Sequence, residues 1–221
     1  MVRKQIKRTF RISKYVVYKE TLVDLKEKFW SFLGSFLGIG LIAFIQSVYL
    51  SENDNLFLIG SFGASSVLIY GVIQSPLAQP RNLIGGHIVS AIIGVTVFQL
   101  LPNIVWLTAS LAVSLSIIAM QYTKTLHPPG GATALIAVTG SEKIKALGYL
   151  YVIFPVLTGV IILLLIALII NNMTSQRKYP NDGRFSRNFK WITDPIRQQS
   201  QKIKEKRINL TTRNNKEKGS H

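Results

Sequence analysis

Long apolar stretches separated by short polar ones fill the central part of the chain. A helix needs about 20 apolar residues to cross a bilayer core of roughly 30 Å. Four stretches meet this length: Trp30–Leu50, Leu83–Leu101, Ile104–Tyr122 and Ala146–Ile170. Soluble proteins bury single helices of this kind, but four in one chain indicate transmembrane helices. Pro155 predicts a kink in the fourth.

Two further apolar stretches have an irregular composition. Leu56–Ile73 contains several glycines and serines, and Leu126–Thr139 contains the sequence HPPGG. Each is predicted to be either a re-entrant segment, which gives four crossings in total, or a broken crossing, which gives six. The pattern therefore predicts an all-α membrane protein with four long transmembrane helices and two broken or re-entrant segments.

Charge is concentrated at the two ends of the chain. The 221 residues include 26 Lys and Arg against 10 Asp and Glu, a net charge of +16, and nine of the basic residues lie in 1–28 and thirteen in 172–221. Basic segments that flank apolar spans indicate positive-inside topology rather than nucleic-acid binding. Both termini are therefore expected in the cytoplasm, with the protein in the cell membrane and an even number of crossings.

This distribution divides the chain into three parts. Residues 1–29 are predicted to form a basic amphipathic segment, 30–171 the membrane domain, and 172–221 a basic cytoplasmic tail. The basic ends are expected to attract anionic membrane lipids. Six crossings place Arg81 and Lys124 on the inner side, whereas four place them outside, so the positive-inside rule favours six.

An internal repeat is also indicated. GASSVLI at Gly63–Ile69 is similar to GATALIA at Gly131–Ala137, and a long apolar helix precedes and follows each copy. The repeats would cover about 30–101 and 104–171. If both broken segments cross, the second repeat is inverted, and the helix N-termini near Gly63 and Gly131 would approach each other near the midplane.

These breaks have the composition of an anion site. Free N–H groups at a helix N-terminus bind anions, and glycine lets a ligand approach the backbone. Asn55–Ser141 contains no Asp or Glu. The predicted substrate-binding residues supply main-chain N–H groups, hydroxyls or cationic side chains: Gly63, Ala64, Ser65, Ser66, Arg81, His87, Lys124, His127, Gly130, Gly131, Ala132 and Thr133. For Arg81 and Lys124, a simple interfacial position is the alternative, and for His87 a structural role.

Other chemistry has little support in the sequence. The chain has no cysteine, and two histidines without a nearby acid supply too few ligands for a metal. Paired carboxylates and a nucleophile motif are absent from the central region, so no cofactor and no enzymatic activity are expected. Small-residue faces, such as Gly34 with Gly38 and Gly86 with Ser90 and Gly94, predict close helix packing within a protomer or in a homo-oligomer.

Three sequence blocks resemble the HPP family of integral membrane proteins: HPPGGATALIAV at His127–Val138, GSFGASSVLIYG at Gly60–Gly71 and SPLAQPRNLIGGH at Ser75–His87. The resemblance covers about Phe29–Asn171. It implies four membrane-spanning helices and, since members in chloroplasts and cyanobacteria are associated with nitrite transport, a nitrite or similar anion pathway.

Two functions are therefore considered. The first is a transporter or channel for a small inorganic anion, with nitrite the leading substrate, passing between the two half-helix N-termini. The second is a membrane scaffold or sensor that transports nothing and acts through its basic tails.

Overall fold

The structure is a computed structural model that describes residues 25–49, 57–102, 104–174, 176–181, 187 and 190–218. For residues 207 and 210–218 it describes the backbone alone. Most of the predicted N-terminal amphipathic segment lies outside these ranges. The described part contains helices and connecting turns but no strand, which confirms the predicted all-α class.

Within the described residues, four helices are long and apolar enough to cross a membrane, as predicted. They are α1 (Leu25–Tyr49), α3 (Pro80–Leu100), α4 (Val105–Tyr122) and the final span Val152–Ile170, whose regular part is α7 (Thr158–Ile170). Helix α1 begins five residues before the predicted apolar span, so Leu25–Phe29 extend the first transmembrane helix. Their side chains at Leu25 and Phe29 are 79% and 56% exposed.

Shorter helices connect the long ones. These are α2 (Gly60–Ser66), which continues as a π-helical turn at Val67–Gly71, a 3₁₀ turn at Pro76–Ala78, α5 (Pro128–Thr139) and α6 (Glu142–Ala146). A basic helix, α8 (Lys190–Lys218), follows the bundle. The end of the bundle that carries Leu25, Pro80, Tyr122 and Ile170 is called the inner end below.

The first broken segment runs the length of the bundle antiparallel to α1. At its start, the Phe57 N–H donates to Oε1 of Gln46 near the end of α1, at 2.7 Å. At its finish, the carbonyl of Tyr70 accepts from the Ser31 hydroxyl near the start of α1, at 2.8 Å. This segment therefore traverses the bundle instead of returning to the side from which it came.

The second broken segment traverses the bundle in the opposite direction. His127, just before α5, lies against Gly86 near the start of α3, whereas Ala134 and Ala137 lie against Gly94 farther along. Val138 packs with Val97 near the far end of α3. Two broken segments that traverse in opposite directions favour the arrangement with six crossings.

The last predicted span is less regular than the sequence suggested. Instead of one helix over Ala146–Ile170, the chain ends α6 at Ala146, turns, and forms a π-helical stretch at Val152–Leu157 before α7. Phe154 has extended φ and ψ of −130° and 121°, immediately before Pro155. Proline disfavours helix in the residue before it, so this interruption is the predicted kink in a stronger form.

Small residues permit the closest packing, as their spacing predicted. Gly34 and Gly38 accommodate the ring of Tyr70, and Gly94 lies against the backbone of Ala134. The outer surface is strongly apolar instead: Phe32 and Phe36 on α1 are 65% and 63% exposed. Exposed aromatic side chains of this kind suit a helix that faces lipid.

Candidate functional site

Four buried polar side chains meet inside the bundle, between the two broken segments. Ser65 comes from α2, His87 from α3, His127 from the turn before α5, and Thr133 from α5 itself. Each is fully buried. We call these four residues the central cluster. His87 is seven residues past the start of α3, which places the cluster about 10 Å from the inner end of that helix.

Short hydrogen bonds link all four side chains. The Ser65 Oγ lies 2.7 Å from Nε2 of His87 and 3.0 Å from Nε2 of His127. The other ring nitrogen of His87, Nδ1, lies 2.7 Å from the Thr133 Oγ1. The Nδ1 of His127 lies 2.8 Å from the carbonyl of Leu77. One serine hydroxyl thus joins the two imidazoles.

The carbonyl of Leu77 sets the direction of each hydrogen bond in the cluster. The Leu77 carbonyl can only accept, so Nδ1 of His127 carries a proton, and Nε2 of the neutral ring accepts from Ser65. The Ser65 oxygen then accepts from Nε2 of His87, which leaves Nδ1 of that ring to accept from Thr133. The Thr133 hydroxyl also lies 3.3 Å from the Pro129 carbonyl, which is the longer contact. In the neutral cluster, each group therefore donates to the next, from the Thr133 hydroxyl through His87, Ser65 and His127 to the Leu77 carbonyl.

The sequence KTLHPPGG produces the turn that places His127. Helix α4 ends as the Thr125 N–H donates to the Met120 carbonyl at 2.9 Å, and Lys124 takes a left-handed φ of 55°. His127 is extended, with φ of −142°, and Pro128 begins α5. Proline suits the first turn of a helix, where its missing N–H costs no helical hydrogen bond.

The glycines of GGH at Gly85–His87 let this turn approach α3. A methyl group at Gly85 would lie 2.5 Å from Cγ2 of Thr125, and one at Gly86 would overlap the Cβ of His127. Both contacts are far closer than carbon atoms tolerate. The two glycines are therefore required for His127 to reach His87, whose ring centroid is 5.0 Å away.

Further buried hydroxyls surround the cluster without a hydrogen-bond partner in the described part of the chain. They are the Oγ atoms of Ser61, Ser66 and Ser90. Ser90 lies one turn beyond His87 on α3 and beside Gly130, where an added Cβ would be 2.7 Å from its Oγ. Unsatisfied buried donors are costly, so these hydroxyls are available to a polar ligand.

The twelve predicted substrate-binding residues separate into three groups. Ser65, His87, His127 and Thr133 meet in the central cluster, and Ser66 and Gly130 are buried on the same helices. Gly63 and Ala64 are exposed on the other face of α2, while Gly131 and Ala132 are half-buried. Arg81 and Lys124 are exposed at the inner end, where Nη2 of Arg81 donates to the Thr123 carbonyl at 2.9 Å.

The contacts between the broken segments also differ from the predicted meeting of helix N-termini. The direct hydrogen bond joins Ser65, which lies within α2, to His127 at the N-cap of α5, and Thr133 is linked to Ser65 only through His87 on α3. The Gly130 N–H is satisfied by the His127 carbonyl at 2.8 Å. Side-chain hydroxyls and imidazoles, more than free main-chain N–H groups, therefore define the described site.

Sequence reasoning missed two contributors. The carbonyl of Leu77 fixes the tautomer of His127, and the Tyr151 hydroxyl donates to the Thr133 carbonyl at 3.1 Å. Neither has a signal in the sequence, since a main-chain carbonyl carries no residue identity and Tyr151 stands outside the repeated blocks. Within the described residues, no group of three or more His, Cys, Asp or Glu side chains is placed to hold a metal.

Four long apolar helices around a buried polar centre define an integral membrane protein. The chain belongs to the HPP family, whose transmembrane-region model matches residues 20–180. Two transmembrane proteins of Dictyostelium discoideum are each 49% identical to it over 160 residues, which is 71% of this chain and 51% and 56% of theirs. The chain thus spans about half the length of these curated relatives. No solved structure matches it.

Proposed function

We propose that this protein is a transporter or channel for a small inorganic anion, with nitrite the leading substrate. The observation that carries the proposal is the central cluster: hydroxyls and imidazoles gathered between two broken segments, in a region without carboxylates. Asn55–Ser141 has no Asp or Glu. Hydrogen-bond donors in this site would therefore meet no competing anionic side chain, whereas a cation pathway would need acidic ligands.

Proton uptake provides a mechanism for anion binding. In the neutral cluster, both nitrogens of each ring have a partner, so no imidazole donor is left for a ligand. A proton added to His87 turns Nδ1 into a donor to Thr133, whose hydroxyl can then donate to the Pro129 carbonyl at 3.3 Å. A proton added to His127 turns Nε2 into a donor to the Ser65 oxygen, which already accepts from His87, so the Ser65 hydroxyl needs a new acceptor. An anion supplies that acceptor and neutralises the charge. We therefore propose that anion and proton enter together.

Nitrite is favoured by two considerations. Its bent shape presents two acceptor oxygens, and the hydroxyls of Ser66 and Ser90 are buried donors without a hydrogen-bond partner among the described residues. The motif blocks also resemble those of a family in which chloroplast and cyanobacterial members are associated with nitrite transport. Nitrate shares the charge and the acceptor oxygens, so direct comparison of the two ions is needed.

The rest of the pathway follows from charge. Arg81 and Lys124, exposed at the inner end, would attract anions electrostatically. The basic ends support an orientation in which the inner end faces the cytoplasm and the protein lies in the cell membrane. The opposite directions of the broken segments support an inverted repeat of about 30–101 and 104–171. The exposed small residues Gly63 and Ala64 would suit contact with a second copy in a homo-oligomer.

Reconstitution into proteoliposomes tests the proposal. Uptake of nitrite, nitrate, formate and chloride would be compared at equal ionic strength, with protein-free liposomes as the baseline. We expect saturable uptake that is fastest for nitrite. Absence of uptake for all four anions, in vesicles with the protein in both orientations, would overturn the proposal.

A scaffold or sensor without transport activity is the second candidate. It is favoured by the helix α8, which is basic and exposes Trp191, Ile203 and Ile208 to 75%, 52% and 54%. Such a helix is suited to lie on an anionic lipid surface or on a partner. If the protein is a scaffold or sensor, Gly131→Leu would alter folding or partner binding, and neither the wild type nor the variant would show anion flux. If it is a transporter, the same substitution would reduce anion flux.

A further inference from the structure

Arg177 is a buried cation at the inner end that the proposed pathway does not use. It is 3% exposed, and its Nη2 donates to the carbonyl of Tyr70 at 2.5 Å. On its other side, Nε lies 3.4 Å from Oε2 of Glu27 in the first turn of α1. Neither Nε nor Nη1 has a hydrogen-bond partner among the described residues. Among the described residues, this buried guanidinium therefore has more N–H donors than there are acceptors for them.

The segment that carries Arg177 is fixed against the first broken segment. Asn171 donates from Nδ2 to the Ile69 carbonyl at 2.8 Å, and Asn181 from Nδ2 to the Ile73 carbonyl at 3.1 Å. The Tyr179 hydroxyl donates to the Ala78 carbonyl at 2.7 Å. These side chains satisfy carbonyls that the end of a helix leaves free. Because its neighbours are anchored, the guanidinium is held in one position.

The guanidinium of Arg177 is a suitable binding group for an oxoanion. A guanidinium has five N–H donors, accepts no hydrogen bond and stays charged in proteins. Burial lowers the pKa of Arg177, and the nearby Glu27 carboxylate opposes that change. Glu27 is close enough to Nε for an ion pair, yet Nε makes no hydrogen bond to it. The pair is thus loosely matched, and a better acceptor can displace it.

Arg177 also contacts the inner end of the broken segment that carries Ser65. Tyr70, whose carbonyl Arg177 holds, is five residues beyond Ser65 in the same broken segment, or about 8 Å of helix. The stretch between Tyr70 and α3 carries Leu77, whose carbonyl contacts His127. An anion that leaves the central cluster for the inner end therefore moves toward Arg177.

We propose that Arg177 is a second anion-binding site, which takes an oxygen of a small oxoanion on Nε, and that Glu27 keeps this site closed until the anion displaces it. The choice of ligand class rests on the proposed function. The site itself rests on the buried Nε, which has no hydrogen-bond partner among the described residues, and on the carboxylate beside it.

Anion-dependent stability of the purified full-length protein tests the site. Thermal unfolding in detergent would be followed against sodium nitrite, with sodium gluconate holding the ionic strength constant. A ligand that binds the folded state stabilises it by RT ln(1 + [L]/Kd), so the half-saturating concentration is obtained by fitting the unfolding temperature against nitrite concentration. We expect Glu27→Gln to lower the half-saturating nitrite concentration roughly threefold to fivefold, since it removes a competing, partly exposed ion-pair partner. Glu142→Gln, which breaks an exposed pair with Lys145, is the matched control and should change nothing.

A second variant keeps the charge and removes the Nε donor. We expect Arg177→Lys to raise the half-saturating concentration at least threefold, because lysine has a methylene group where arginine has Nε. If neither Glu27→Gln nor Arg177→Lys moves the saturation curve, the second site is wrong, even if proteoliposomes take up nitrite. If both variants move the curve and no vesicle transports an anion, the site stands and the proposed function is wrong.

Discussion

The hydroxyl of Ser65 lies 3.0 Å from Nε2 of His127, although the two residues are 62 positions apart in the sequence. The same oxygen is 2.7 Å from Nε2 of His87. One side chain of the first broken segment thereby contacts the turn that begins the second. Because it donates to one ring and accepts from the other, Ser65 transmits to His87 the hydrogen-bond direction that the Leu77 carbonyl sets at His127. Movement of either broken segment would interrupt this chain.

Thr133→Val removes the donor to His87 while it keeps the shape of the side chain. Loss of one partner of a buried hydrogen bond costs about 1–3 kcal/mol. We expect nitrite flux in proteoliposomes to fall about tenfold, because Nδ1 of His87 loses the hydroxyl that orients the ring. Flux would be measured at equal protein content in the vesicles.

Thr139→Val provides the control on the same helix. Thr139 is exposed, and its hydroxyl donates to the carbonyl of Leu135 four residues earlier, so the substitution should leave flux unchanged. Equal flux through both variants and the wild type would show that the central cluster does not contribute to transport.

Flux should rise as the pH falls, because each anion is proposed to enter with one proton. For a single coupled proton the increase is at most about tenfold for each pH unit. The helices α2, α3 and α5 carry no carboxylate. Glu27 on the adjacent α1 lies 3.4 Å from Arg177, and the cations Arg81 and Lys124 are exposed at the inner end. The histidines are therefore the groups whose protonation would set this dependence. Uptake between pH 5 and 8 would be measured and corrected with protein-free vesicles, which account for diffusion of the neutral acid.

His87→Gln separates the histidines from other sources of pH dependence. Glutamine keeps a donor and an acceptor but does not titrate, so the pH dependence of the remaining flux should flatten. Size-exclusion profiles would show that the variant is folded. A variant whose flux rises with acidity as steeply as the wild type would exclude His87 as the proton acceptor.

The members of the central cluster could be found from the sequence, but their partners could not. Ser65 and Thr133 stand at matching positions of two similar blocks, and His127 adjoins the Pro-Pro break, so local patterns identify them. Which side chains touch depends on how far each segment runs through the bundle, which periodicity does not specify. The exposure of Gly63 and Arg81 illustrates this limit, because both share the composition of the site but face away from it.

Helix boundaries show the same limit. The apolar run predicted one helix over Ala146–Ile170, whereas Phe154 is extended and the regular helix begins at Thr158. Proline at 155 indicated a disturbance, but its extent depends on tertiary packing, including the stacking of Phe154 on Phe57 at 5.3 Å between centroids. Long-range contacts of this kind are not encoded in local hydrophobicity.

Gly86→Ala tests the close approach of the HPP turn to α3. The added methyl group would overlap the Cβ of His127, so we expect a loss of about 1–3 kcal/mol in stability, the typical cost of overpacking. Thermal unfolding in detergent would measure it. Gly40→Ala on α1 is the matched control, since nothing lies within 4 Å of its added Cβ. There alanine should be neutral or stabilise the helix. Equal unfolding temperatures for the two variants would contradict the packing described here.

Lys124→Cys distinguishes six crossings from four. The chain has no cysteine of its own, so a single introduced thiol can be labelled without background. Six crossings place position 124 on the cytoplasmic side, whereas four place it outside. Because the second broken segment traverses the bundle, we expect an impermeant maleimide to label Lys124→Cys only after cells are permeabilised. Lys143→Cys, outside in both arrangements, should be labelled in intact cells and confirms that the reagent reaches its target. Labelling of both variants in intact cells would mean that the segment returns to the side from which it entered, and that the anion route between two broken crossings is wrong.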